Sequence, residues 1–213
     1  MSFLTVSEEN VHKEGQGNFI STSGIYDVHM KGAEVAKTKN GATQINYYMD
    51  QCNSFGNSIF DKNGKKIFGY DILEALATVA GEDSLSNPEP TEIKFKSGVK
   101  ELMCLPELTD IDVKAWVAFS YHLWNGEIKE TIAIKRFYRA SDNASGSECI
   151  DGKGAGTQYE KDMAYASTVK YDDGLTAEDI KEWKASKSKD SKNAGATQAK
   201  AAPKSAATAF PGQ

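Results

Sequence analysis

Residues 113–139 read VKAWVAFSYHLWNGEIKETIAIKRFYR, and this stretch decides how the chain folds. Asn125-Gly126 is the dipeptide best suited to a type I′ turn, because both central positions of that turn need a positive φ. Folding the sequence about it pairs Leu123 with Ile128, Phe119 with Ile132 and Val117 with Ile134, all apolar. The opposite face then carries Lys114, Trp116, His122, Trp124, Lys129, Lys135, Phe137 and Arg139. The hairpin predicts one face against a core and another that is basic and aromatic.

Upstream, Ile25 to Asp50 reads as a second hairpin. Alternation puts Tyr26, Val28 and Met30 on one face and Asp27, His29 and Lys31 on the other, before Gly32 marks a bulge. A turn at Lys39-Asn40-Gly41, with Gly41 at positive φ, sets Val35 against Ile45 and Ala33 against Tyr47. Phe55 to Phe60 makes a third strand, ended by Asp61-Lys62-Asn63-Gly64. The period then changes to that of a helix over Gly69 to Ala80, with Ile72, Leu73, Leu76, Val79 and Ala80 on one face and Gly81 as the stop. The acidic, proline-bearing stretch Glu82 to Ile111 reads as an insertion with minor strands near Glu92 to Leu105.

Downstream, a modest helical stretch falls near Tyr159 to Ser167. Thr176 is an expected N-cap, with Glu178 and Asp179 suited to the first turn of a short helix ending about Ser186. From Lys187 to Gln213 the composition falls to Ala, Lys, Ser, Thr and Gly, with five Lys against one Asp. Such a segment cannot bury enough apolar surface to order itself. The expected division is a domain over 1–186 and a disordered tail over 187–213.

Composition narrows the chemistry. Cys52, Cys104 and Cys149 are an odd, scattered set with only three histidines in the chain, which argues against a disulfide framework and against a zinc site. No apolar run approaches a membrane span, and Met1 to Asn18 lacks the form of a secretory signal, so the expectation is a cytoplasmic protein. Gly152-Lys153-Gly154-Ala155-Gly156 lacks the Gly-Lys-Ser/Thr ending of a phosphate loop. Asp172-Asp173 and Glu178-Asp179 could mimic catalytic carboxylates, but a helix start accounts for them. No catalytic machinery, cofactor or metal is expected.

The formal net charge is −5, unfavourable at first sight for a polyanionic partner. Its distribution is uneven: six Lys against four acids from Gly24 to Phe68, and five Lys or Arg against two Glu from Val113 to Ala140, where both arginines lie. A local basic face can coexist with an acidic whole.

Three strands, a helix and then a two-stranded hairpin is the order of an OB-fold, so the expected class is mainly β: a five-stranded OB-fold barrel with one helix between strands 3 and 4, an insertion, a short C-terminal helix and a tail. Gly24-Ile25-Tyr26-Asp27-Val28, Ala36-Lys37-Thr38-Lys39-Asn40-Gly41, Leu105-Pro106-Glu107-Leu108-Thr109, Ile134-Lys135-Arg136-Phe137-Tyr138 and Gly174-Leu175-Thr176-Ala177-Glu178 together resemble bacteriophage single-stranded DNA-binding proteins of OB-fold type. The resemblance spans roughly Gly24 to Trp183. It implies sequence-independent coverage of single-stranded DNA in phage replication, recombination and repair in the host cytoplasm, with self-association and phage replication proteins as further partners. One departure is the tail, which is basic and ends Ala209-Phe210-Pro211-Gly212-Gln213 where many such proteins are strongly acidic.

Single-stranded DNA needs cations for phosphates and aromatic faces for unstacked bases. Lys114, Trp116, Trp124, Lys129, Lys135, Phe137 and Arg139 offer both, and Lys31, Lys37, Lys39 and Tyr48 on the first hairpin form a second set. The competing reading buries the tryptophans under the Glu82 to Ile111 insertion. A rival function is an acidic interaction protein, such as a DNA mimic that inhibits a host nucleic-acid enzyme, and a metal-dependent nuclease stands third.

Overall fold

The structure, a computed structural model, describes residues 20–50, 52–95, 97–152 and 154–197. They divide into two compact units. The first takes the chain up to Ser120 with Glu130–Lys170, and the second takes Tyr121–Lys129 with the chain from Tyr171.

The first unit is built on β1 (Gly24–Lys37), β2 (Thr43–Met49) and β3 (Cys52–Phe60), an antiparallel meander. Val35 faces Ile45 and Ala33 faces Tyr47, the register expected from a turn with Gly41 at φ 82°. The register slips between Met30 and Gly32, where the bulge was expected. That slip changes which residues point inward: Val28 and Met30 are buried before it, and Ala33 after it. The first half of β1 pairs with β6 (Ile111–Trp124), which in turn pairs with β7 (Glu127–Arg139). Asn125 and Gly126 take φ of 52° and 77°, as a type I′ turn requires.

The strands thus run β3-β2-β1-β6-β7. Among the described residues no ladder joins β3 to β7, so the expected five-stranded barrel is an antiparallel sheet that does not close. The insertion is a full hairpin, β4 (Glu89–Phe95) and β5 (Gly98–Cys104), attached to β1 where Glu34 faces Cys104. A single 3-10 turn, Pro106–Leu108, leads from it into β6 and buries Leu108.

Helix α1 (Phe68–Ala80) buries Ile72, Leu73, Leu76 and Val79 and ends on Gly81 at φ 90°, whose N–H reaches the carbonyls of Ala77 and Thr78. Its entry is tight: a Cβ on Gly69 would lie 2.2 Å from the carbonyl oxygen of Ser58 in β3. Two short helices follow β7, α2 (Gly146–Asp151) and α3 (Thr157–Met163). The first was not expected, although its capping box is plain in the sequence: Ser145 and Glu148 satisfy each other's backbone N–H groups. The second lies within two or so residues of the expected start at Tyr159 and stops short of Ser167.

In the second unit the hairpin tip is accompanied by Tyr171, the end of β8 (Lys170–Tyr171), and by α4 (Ala177–Thr197). Thr176 caps α4 as expected: Asp179 Oδ2 accepts from the Thr176 N–H at 2.8 Å and hydroxyl at 2.7 Å. The helix runs on to Thr197 rather than ending about Ser186, since Ala and Lys favour helix. The rest of the expected tail, 198–213, lies outside the described residues. Among the described residues no helix is long and apolar enough to cross a membrane.

Cross-strand ion pairs fasten β1 to β6. Lys114 meets Asp27 directly opposite it, and His29 contacts Asp112 through Nδ1 and Asp110 through Nε2, both at 2.9 Å. The hydrogen bond to Asp112 leads in raising the His29 pKa above its ordinary value. A group whose pKa is raised on folding stabilises fully below its unfolded pKa, about 6.5, and loses that contribution as pH rises through the folded value. Stability should therefore decline from pH 6 to pH 8 relative to a His29→Asn variant, read as the difference between their urea midpoints. Equal midpoint differences at both pH values would remove His29 from the fastening. Gly69→Ala should cost about 1–3 kcal/mol, because backbone rather than a side-chain end blocks the added methyl. Urea unfolding with an unchanged m-value measures it, and a neutral substitution would mean that α1 can lift off β3 freely.

Candidate nucleic-acid interface

Strand β6 alternates as its sequence suggests. Val113, Ala115, Val117, Phe119 and Tyr121 are buried, and the even-numbered residues face away from them. Strand β7 does not follow a single alternation to its end. Phe137 is 0% exposed, its ring packed edge-on against Tyr47 at 5.4 Å, while the neighbouring Tyr138 is also fully buried and donates to Asp162 at 2.6 Å. Both faces of β7 are covered there, so the expected DNA-stacking role of Phe137 gives way to a core role.

Several of the expected phosphate-binding cations already have carboxylate partners. The Lys114 side chain is 16% exposed and paired with Asp27; Lys31 meets Asp50 at 2.6 Å; Lys129 meets Glu127 at 2.7 Å. Arg139 donates to both oxygens of Asp142, at 2.9 and 2.6 Å, and this bond leads in holding the Asp142 carboxyl down to about 2. Lys37 donates to the Thr43 hydroxyl at 2.6 Å, and Lys39 stands exposed at the first hairpin turn. Tyr48 is half-buried, with its hydroxyl donating to Glu34 at 2.6 Å and its ring edge-on to Phe95. Burial and then the Glu34 carboxylate push the phenol pKa upward. Trp116 is half-buried, and its indole N–H has no hydrogen-bond partner among the described residues.

The expected residues are divided between the two units. Lys31, Lys37, Lys39, Tyr48, Lys114, Trp116, Lys135, Phe137 and Arg139 belong to the first unit, and only Trp124 and Lys129 belong to the second. Leu123, expected in the core, is 40% exposed in that second unit.

The second unit has its own aromatic and cationic surface. Trp124, at the end of β6, is 62% exposed. Tyr121 and Tyr171 stack at 5.9 Å with ring planes 14° apart, and Trp183 of α4 meets Tyr121 edge-on at 6.2 Å. Lys184 lies 5.2 Å from the Tyr121 centroid and Lys187 4.2 Å from that of Trp183. Two hydrogen bonds tie the loop before α4 to the tip: Asp172 N–H donates to the Tyr121 carbonyl, and Leu123 N–H donates to the side-chain Oδ2 of Asp173. Sequence reading missed Tyr171, Trp183, Lys184 and Lys187. The signal was the helical spacing of Ile180, Trp183, Lys184 and Lys187, which puts them on one face.

No protein-family model matches the chain, and no curated protein matches it. Truncations separate the two kinds of aromatic residue found here. Phe137→Ala should cost about 3–5 kcal/mol of folding stability, the usual penalty for emptying a core aromatic site. Trp124→Ala should stay within about 0.5 kcal/mol, as for an exposed position. Equal losses in urea unfolding would contradict the assignment of Phe137 to the core and Trp124 to the surface.

Proposed function

We propose that this protein binds single-stranded DNA without sequence preference and has no catalytic role. Its open antiparallel sheet, with a helix between the third strand and the β6–β7 hairpin, is read as an OB-type module carrying an inserted hairpin. The observation that carries the reading is the second unit's surface: an exposed Trp124 beside the hairpin turn, with Tyr171, Trp183, Lys184 and Lys187 in the same unit. Rings offer stacking to any base, and ammonium groups offer phosphate contacts that carry no sequence information. In this reading the protein covers exposed strands in phage replication, recombination and repair within the host cytoplasm, and it meets phage replication proteins there.

Oligothymidine should quench tryptophan fluorescence, and affinity should fall with salt with a log–log slope of about −0.7 per phosphate contacted. Trp124→Ala should remove about 1–3 kcal/mol of binding, the range for one stacked base. Absence of quenching at low salt would overturn the reading and favour the acidic interaction protein, as would an affinity that salt leaves unchanged.

A further inference from the structure

A cleft of about 320 Å³ opens in the first unit between the start of α1, the later part of β7 and the start of α2. Small-molecule sites typically occupy about 300–1,000 Å³. Lys135, Arg136, Ser147, Asp71 and Phe68 contribute to its walls. None of them belongs to the surface on which the proposed function rests.

Arg136 is held by a buried carboxylate. Asp162 accepts hydrogen bonds from the Tyr138 hydroxyl at 2.6 Å and from Gln158 Nε2 at 2.9 Å, and it pairs with Arg136 Nε at 3.4 Å. Burial, with the Asp162 contact second, pushes the Tyr138 phenol pKa upward, so that hydroxyl remains a donor. A guanidinium carries five N–H donors in a planar fork. Turning Nε to Asp162 leaves the terminal nitrogens available to an anion in the cleft. Lys135 is exposed and has no ion-pair partner among the described residues. At the rim, Phe68 opens α1 and is 66% exposed, although a helix start could equally take a polar side chain. Asp71, one turn on, is an acceptor that a bare anion would not call for.

Two cations and a hydroxyl, an exposed aromatic ring and one carboxylate acceptor match the parts of a nucleotide. We propose that this cleft binds a single nucleotide, with its phosphate on Arg136, Lys135 and Ser147, its base against Phe68, and Asp71 accepting from a sugar hydroxyl or a base amino group. Free nucleotide and one unit of a DNA strand present the same chemistry. An inorganic anion would leave Phe68 and Asp71 without a role.

The full chain is titrated with thymidine 5′-monophosphate, thymidine and inorganic phosphate, followed by amide ¹H–¹⁵N shifts. The monophosphate should move resonances of Phe68, Lys135, Arg136 and Ser147, and thymidine should bind about tenfold more weakly or worse for want of charge-assisted hydrogen bonds. Phe68→Ala should weaken the monophosphate about tenfold while leaving inorganic phosphate unchanged. Lys135→Gln, at an exposed strand position, should weaken both, and it tests the cleft even if the Phe68 variant unfolds. Trp124→Ala should leave monophosphate binding unchanged, so this cleft and the second unit's surface fail or stand separately. Competition by oligothymidine identifies a strand as the source of the nucleotide, and its absence identifies free nucleotide; either supports the cleft. Equal binding of thymidine and its monophosphate would overturn the proposal, as would shifts that avoid the cleft or a Lys135→Gln variant with full affinity.

Discussion

The change of phase in β1 is the constraint on which the first unit depends. A strand has period two, so one continuous fourteen-residue strand would point the same parity inward along its whole length. Here Val28 and Met30 must face Val113, and Ala33 must share a face with Ile45 and Tyr47. Those demands have opposite parity. The bulge between Met30 and Gly32 reconciles them by inserting a residue, and Gly32 itself is confined: a Cβ there would meet Ile93 Cδ1 at 2.9 Å and Cys104 Sγ at 3.1 Å. The same position thus lets β1 change partner and lets the β4–β5 hairpin approach. Without the phase change, either the β6 half or the β2 half of β1 would present its polar face to the core.

Local geometry was the legible part of this sequence. Gly41, Gly64, Gly81 and Gly126 sit at positive φ where turn and cap chemistry put them, and the Val35–Ile45 register follows from the turn length. These features are decided within a few residues. What sequence could not supply was cover arriving from far along the chain. Strict alternation puts Phe137 outward, but β7 ends between Tyr47 on one side and Tyr159 and Asp162 on the other, so consecutive residues Phe137 and Tyr138 are both core. Leu123 fails in the opposite sense, because the apolar match with Ile128 says nothing about whether a second layer lies over the tip.

Charge was legible as composition and illegible as pairing. A count finds the β6–β7 segment basic, yet Lys114 faces an Asp on a strand 87 residues earlier, and Arg139 is claimed by Asp142 just beyond the strand end. Exposed pairs of this kind contribute little to stability, with a median of about 0–1 kcal/mol. They matter more by what they withhold, since a paired ammonium offers a phosphate only what remains after its own carboxylate is displaced. The useful cations are those whose partners are weak or whose partner orients rather than neutralises them. Lys135, which hairpin alternation selects, and Arg136, which it does not, qualify on that test better than Lys114, Lys129 or Arg139.

A single exposed tryptophan is ordinary on a protein surface, so Trp124 alone argues nothing. Its significance comes from how the second unit is put together. The type I′ turn ends β6 at Trp124, and the Asp172–Asp173 segment takes up the backbone groups of Tyr121 and Leu123, stopping one residue short of it. Rings are therefore the chief packing material of this unit: Tyr121 is buried between Tyr171 and Trp183, and the cations nearest those rings are lysines on α4. A lysine over an aromatic face can lay its stem on the ring while its ammonium group stays at the surface. A core made this way presents π faces and lysine ammonium groups at its own boundary, the pairing that an unstacked base and its phosphate require.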